Sequence, residues 1–199
     1  MTPSFNELET MLRKAAIGAG WPHALAAEGA GAVRWLAERG VDATTGFLRA
    51  LHPLDTAIRC ASDGRTLEAA RVLAAGPSAL DLARVTPGTT VTLEDIDVPL
   101  LLPGLAGLAS DTCGFRIDCG GSAAVGAGSL ALEHGFGSAP HATVIAAEAP
   151  PRRPERMSPR LEVPDALWAG FERLAARTYV PETEQSRLTG AGAGLLDND

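Results

Sequence analysis

The apolar pattern of this chain changes period near Thr86, and that change restricts the fold more than any other feature. Helical spacing before it and strand-like patterning after it require a helical part joined to a sheet. In the helical part, Ser4 with Glu7 three residues on forms a capping-box pattern, followed by Leu8, Met11, Leu12, Ala15 and Ala16 at helical spacing. Gly18 and Gly20 end that helix. Trp21-Pro22 opens a second, in which Leu25, Gly29, Ala32, Val33, Leu36 and Ala37 recur at three and four before Gly40. The small residues Ala26, Gly29, Ala30 and Ala32 leave little side-chain bulk, so the two helices are expected to form a close αα-hairpin. Thr44 to Leu51 reads as a short helix broken by His52-Pro53, and Pro53 to Ala61 as another turn or two. The spacing also predicts a helix over Thr66–Ala74, ended by Gly76-Pro77.

After Thr86-Pro87-Gly88, a turn signal, Thr89 to Leu93 is rich in β-branched residues. Val98 to Leu102 reads as a short buried apolar run. Phe115 to Cys119 alternates with period two, Gly120-Gly121 is a turn signal, and Ala123–Val125, Leu130–Glu133 and Ala142–Ala147 are further strand candidates. The connections look too short for crossover helices, so pairing should be mostly antiparallel. Pro150 to Pro159, with Arg152, Arg153 and Arg156, is an exposed loop or linker. Val163-Pro164-Asp165 opens a last helix with Leu167, Trp168, Phe171, Leu174 and Ala175 on one face. The expectation is an α+β fold and a single domain, 1–199. A helical part (1–85) packs on a small, mostly antiparallel sheet part (87–148). A Pro/Arg-rich loop (149–162) leads to a C-terminal helix and polar tail (163–199). With 199 residues, 46% of them apolar, the chain can bury a sizeable core.

Composition excludes several function classes. A net charge of -7 argues against nucleic acid as the main partner, because phosphate neutralisation needs a basic face. No run of 18 apolar residues occurs, so no membrane-spanning helix is expected, and the first residues lack a secretory-signal pattern. Cys60, Cys113 and Cys119 are too scattered for a disulfide framework. A bacterial cytoplasmic protein is the expectation.

The last twenty residues concentrate hydrogen-bonding groups. Glu182, Thr183, Ser186 and Arg187 stand together, and Gly190, Gly192 and Gly194 permit backbone conformations closed to other residues. Asp197 and Asp199, with the terminal carboxylate and Asn198 between them, place oxygens that suit a hard cation. Tyr179, Val180, Leu188, Leu195 and Leu196 are apolar anchors against a merely solvated end. Near the start, Arg34-Trp35 offers a planar wall beside a guanidinium, suited to an anion or a ring; the plainer reading is a tryptophan anchoring the core.

Two further patterns are weaker. Gly126-Ala127-Gly128-Ser129-Leu130-Ala131 matches a dinucleotide fingerprint, with Glu148 downstream as the ribose acid. The preceding strand is short, Gly135, Gly137 and Pro140 interrupt the following helix, and glycines at a hairpin turn explain the same residues. Cys113, Cys119, His134 and His141 have the wrong spacing for zinc, so no metal site is assigned. Neither a G-x-S-x-G elbow nor an H-E-x-x-H motif occurs, so no catalytic residue or cofactor is named.

Five stretches of the chain carry a family resemblance. Ala15–Pro22 and Ala32–Leu36 lie in the first helices; Pro181–Glu184, Ser186–Gly194 and Asp197–Asp199 form the tail. Together they resemble a bacterial family, domain of unknown function 3726. The resemblance implies a single bacterial domain and brings no activity or ligand residues with it. Two functional expectations follow from the residues themselves. In one, the protein binds or acts on a small polar molecule where the Arg34-Trp35 helix meets the tail. In the other, it is a non-catalytic homo-oligomeric interaction module whose tail docks on a neighbouring subunit.

Overall fold

The structure is a computed structural model of the chain and describes residues 1–111, 113–126, 128–148 and 160–179. Helices α1 (Phe5–Gly18), α2 (His23–Ala37) and α3 (Thr44–Ala50) come first. Strands β1 (Arg59–Cys60) and β2 (Thr66–Glu68) precede α4 (Val72–Val85) and β3 (Thr90–Leu93). Then come α5 (Leu101–Ala109), β4 (Gly114–Asp118), β5 (Ser122–Gly126), β6 (Ser129–Leu132) and β7 (Ala142–Ala147). Helix α6 (Asp165–Ala175) runs into a 3-10 turn, Ala176–Thr178. The strands form a sheet in the order β1-β2-β3-β7-β4-β5-β6, antiparallel at every pair except β2–β3. The fold is α+β.

Local chemistry explains the first helices. The capping box forms: the Glu7 amide donates to Ser4 Oγ at 3.3 Å, and the Ser4 amide donates to Glu7 Oε2 at 2.7 Å. At the other end Gly20 turns the chain at φ 100°, and the Trp21 amide donates to the Ala16 carbonyl at 3.0 Å. The αα-hairpin follows, and two of the small residues of α2, Gly29 and Ala32, also meet elements other than α1. A Cβ on Gly104 would lie 2.5 Å from the Ala32 carbonyl oxygen, and one on Gly107 would enter the Trp35 ring. At these two glycines the backbone of α5 comes close to α2. Helix α1 makes its own close approach at Gly18, against the Leu174 backbone of α6.

Three expected elements are different. Thr66–Ala74 is not one helix: Thr66–Glu68 is β2, Ala69 turns at φ 46°, and α4 begins at Val72. Gly76-Pro77 does not end a helix, because Pro77 lies inside α4. Proline removes one backbone donor there. Burial of Val72, Leu73, Ala75, Ala79, Leu80 and Ala83 outweighs that loss. The apolar run 98–102 leads into a buried helix, α5, which is apolar on all sides and so gives no helical period. Residues 53–58 contain no helix, and β1 follows at Arg59. The sheet thus reaches back into the first 85 residues, and α4 is a crossover helix between parallel strands.

Helices α4 and α5 pack on one sheet face, against Val91, Leu93, Phe115, Ile117, Val125 and Val144, all buried. Helix α2 lies on α5, α1 on α2, and α6 on α1. Trp21 is buried, and its indole N–H donates to the Leu51 carbonyl at 3.1 Å, which fixes the end of α3.

Candidate functional site

Arg34 and Trp35 are neighbours in a small hollow of about 230 Å³ with Glu9, Gly31, Glu38 and Leu108. Both sides of the Arg34 guanidinium are engaged: Nη1 meets Glu9 Oε2 at 2.8 Å, and Nε meets Glu38 Oε1 at 2.8 Å. Those bonds, Glu9 first, raise the guanidinium pKa above its ordinary value. The cation stacked on Trp35 is Arg39, 3.6 Å from the ring centroid. Trp35 is 8% exposed and closes against Gly107, so its ring is packed into the core. The plainer reading of Trp35 describes its surroundings better than a ligand wall does.

The tail candidates Glu182, Thr183, Ser186, Arg187, Gly190, Gly192, Gly194, Asp197, Asn198 and Asp199 lie outside the described residues. The residue that leads into them, Tyr179, is 64% exposed and lines a groove of about 510 Å³ between α1 and α6. One stripe of α1 builds its wall. Asn6, Thr10 and Lys14 recur every fourth residue, with Glu7 and Met11 beside them. Helical geometry puts such residues on one face, next to the buried stripe of Leu8, Leu12 and Ala15. Pro3, Met11 and Trp168 give the groove an apolar floor. The Trp168 indole N–H donates to Glu172 Oε1 at 3.0 Å, which holds the ring. At one end the Met1 ammonium bonds the Val163 carbonyl and Asp165 Oδ1, both at 2.8 Å. That ammonium keeps the Asp165 carboxyl below its ordinary range.

Besides the Met1 ammonium, already bonded at one end, the groove holds the Lys14 cation and the committed Glu7 anion. Lys14 Nζ stands 5.8 Å from the Tyr179 ring centroid. Glu7 accepts from the backbone and side chain of Ser4, which lowers its carboxyl pKa and keeps it ionised as a helix cap. Lys14 is thus the charged donor available to a bound molecule, with Asn6 and Thr10 as neutral partners and the floor as an apolar seat. Such a set can bind and orient; its lining contains no paired nucleophile and base. Sequence reasoning missed these residues. The signal was a polar stripe on α1 carrying Lys14, the chain's one lysine.

The weaker patterns are also placed. Gly126 pairs with Ser129, Gly128 has φ 83°, and the segment after them is strand β6. These glycines turn one strand into the next, and no helix start stands there to receive a pyrophosphate. Cys119 is buried with its Sγ 3.3 Å from the Ala139 carbonyl, and burial raises its thiol pKa. Among the described residues no three His, Cys, Asp or Glu side chains converge to hold a metal. Among them, too, no helix is long and apolar enough to cross a membrane.

Comparison with known proteins bears on the helical part. Residues 3–79 match the model of the family described as Protein of unknown function (DUF3726). The matched range contains the Ala15–Pro22 and Ala32–Leu36 motifs, most of the α1 stripe's floor and wall, and the crossover into α4. The tail motifs lie beyond it. No curated protein and no solved structure matches the chain. The likeness to the DUF3726 family is thus one of residues 3–79, in the helical part of the chain.

Proposed function

We propose that this protein binds a small polar molecule in the α1–α6 groove, with the segment after Tyr179 completing the site. One observation carries the reading. A groove of about 510 Å³ joins an apolar floor to Lys14, Asn6 and Thr10, and it reaches the residue from which the polar tail departs. That volume lies within the ~300–1,000 Å³ common for small-molecule sites. The ligand has an acidic or hydrogen-bond-accepting group for Lys14 and an apolar or ring portion for Met11 and Trp168. Arg187, Thr183 and Ser186 are the tail residues proposed to meet its remaining polar groups. A bacterial cytoplasmic setting is part of the same proposal and rests on the sequence.

Native mass spectrometry tests it on the intact chain, an Arg187→Ala variant and a chain lacking residues 180–199. Each is incubated with a small-molecule extract. Bound mass on the intact chain, lost in both variants at constant subunit number, is the expected result. A smaller assembly after truncation, with no bound mass on any form, replaces this reading with the homo-oligomeric module whose tail docks on a neighbour. Equal bound mass on all three would remove the tail from the site.

A further inference from the structure

A second cavity, of about 270 Å³, lies at the carboxyl ends of β2 and β3 and shares no residue with the α1–α6 groove. Arg49, His52, Arg71, Asp97 and Val98 line it. Its construction follows from the crossover unit β2–α4–β3. Parallel strands leave the sheet at the same edge, so the loops after them run side by side. The Ala70 amide donates to the Glu94 carbonyl at 2.9 Å, and the Asp97 amide donates to the Ala70 carbonyl at 3.2 Å. Each loop also turns through a non-glycine residue at positive φ, Ala69 at 46° and Asp95 at 50°. Such conformations are uncommon outside glycine and persist where the surroundings enforce them.

Asp97 organises the cavity. Its Oδ1 accepts from the amides of Val72, at 2.8 Å, and Val98, at 2.9 Å. The first amide of α4 is therefore already occupied, and the site is made of side chains. The other carboxylate oxygen lies 3.7 Å from Arg71 Nη1 and orients that guanidinium without enclosing it. Across the cavity, Arg49 projects from the end of α3, whose neighbours Ala50 and Leu51 are buried. Among the described residues neither the Arg49 guanidinium nor the His52 ring has an ion-pair or hydrogen-bond partner. The lining sets two guanidiniums against one carboxylate, with the Asp55 charge outside the lining also acting on Arg71, in a chain whose net charge is -7. Guanidinium forks match planar carboxylates and phosphates, and their bonds to such anions are the strong, charge-assisted kind.

We infer that this cavity binds the oxyanion group, a carboxylate or a phosphate, of a small molecule. Arg49 and Arg71 donate to the anion, His52 closes the third side, and Asp97 is the positioning residue that holds Arg71 and joins the two loops.

The test is a titration of the full-length chain, followed by amide nitrogen–proton correlation spectra. The probes are inorganic phosphate and malonate, with sodium chloride at matched ionic strength as the control. Saturating shifts at the amides of Arg71, Val72, Asp97 and Val98 are expected. Saturation by phosphate alone assigns a tetrahedral anion, and by malonate alone a carboxylate. Arg49→Ala, an exposed change, should weaken that saturation by about tenfold or more, since a charge-assisted bond is lost. Arg49→Lys should fall between the two, keeping the charge and losing the fork. Shifts that stay linear and equal those of sodium chloride would overturn the inference. So would equal saturation in wild type and Arg49→Ala. Binding in the α1–α6 groove bears on neither outcome, because the two sites share no residue.

Discussion

Arg34 and the pair Arg49–Arg71 look alike in sequence and differ in what already holds them. Arg34 is bonded on two sides by Glu9 and Glu38, and the ring beside it is packed against α5. Arg71 has Asp97 at 3.7 Å and the Asp55 charge farther off, and Arg49 has no ion pair among the described residues. A guanidinium is a candidate ligand donor according to its neighbours rather than its type. On α2, Glu9 and Glu38 each take one of its N–H donors and turn it into a clamp between α1 and α2. At the sheet edge they leave them pointing into a cavity.

Four substitutions test that contrast. Trp35→Ala should have the largest effect, a loss of about 3 kcal/mol or more in urea denaturation, as expected for a buried aromatic. A loss near zero would mean that the ring is an exposed wall. Asp97→Ala should cost about 1–2 kcal/mol, in the range of a lost helix cap, because it frees the Val72 amide. The same variant should weaken phosphate binding, and stability without weakened binding would separate the cap from the site. Arg34→Ala should lose less than about 1 kcal/mol, since its ion pairs are partly solvated. Arg49→Ala should stay within about 0.5 kcal/mol of wild type, the range of ordinary surface changes. A larger stability loss in Arg49→Ala than in Arg34→Ala would contradict the proposed difference in their surroundings.

The smallest effect is a pH dependence at Glu28, beside the hollow shared by α4 and α5. Desolvation, and then the Asp81 charge, raise its carboxyl pKa. A raised folded-state pKa gives stability that is present below the ordinary carboxylate value and lost as pH rises through the raised one. Glu28→Gln should therefore match wild type in acid and become slightly more stable toward neutral pH, read from urea midpoints at pH 4 and pH 8.

What was legible in the sequence follows the strength of local signals. The Ser4–Glu7 box, the Gly20 turn, the Gly120-Gly121 turn and the Ala142–Ala147 strand all rest on local chemistry, and all stand in the structure. The stretch from Thr66 to Leu102 was misread because its elements are set by burial. A three-residue strand with one buried side chain, Leu67, has too few residues to show a period. Helix α4 tolerates Pro77 through its packing, and α5 is apolar all round. Missing β2 and α4 hid the parallel pair, and with it the meeting of Arg71 with Asp97. The α1 groove was legible in principle. Asn6, Thr10 and Lys14 form a visible stripe, but nothing local in the sequence says that Trp168 and Tyr179 fold back beside it.

The central claim is that the α1–α6 groove, and not the Arg34–Trp35 hollow, takes the ligand. Native mass spectrometry of the full-length chain with a small-molecule extract tests it most directly, with Lys14→Ala and Arg34→Ala run in parallel. The account predicts bound mass on wild type and Arg34→Ala and its loss in Lys14→Ala. Loss in Arg34→Ala with retention in Lys14→Ala, or no bound mass on wild type, would contradict it.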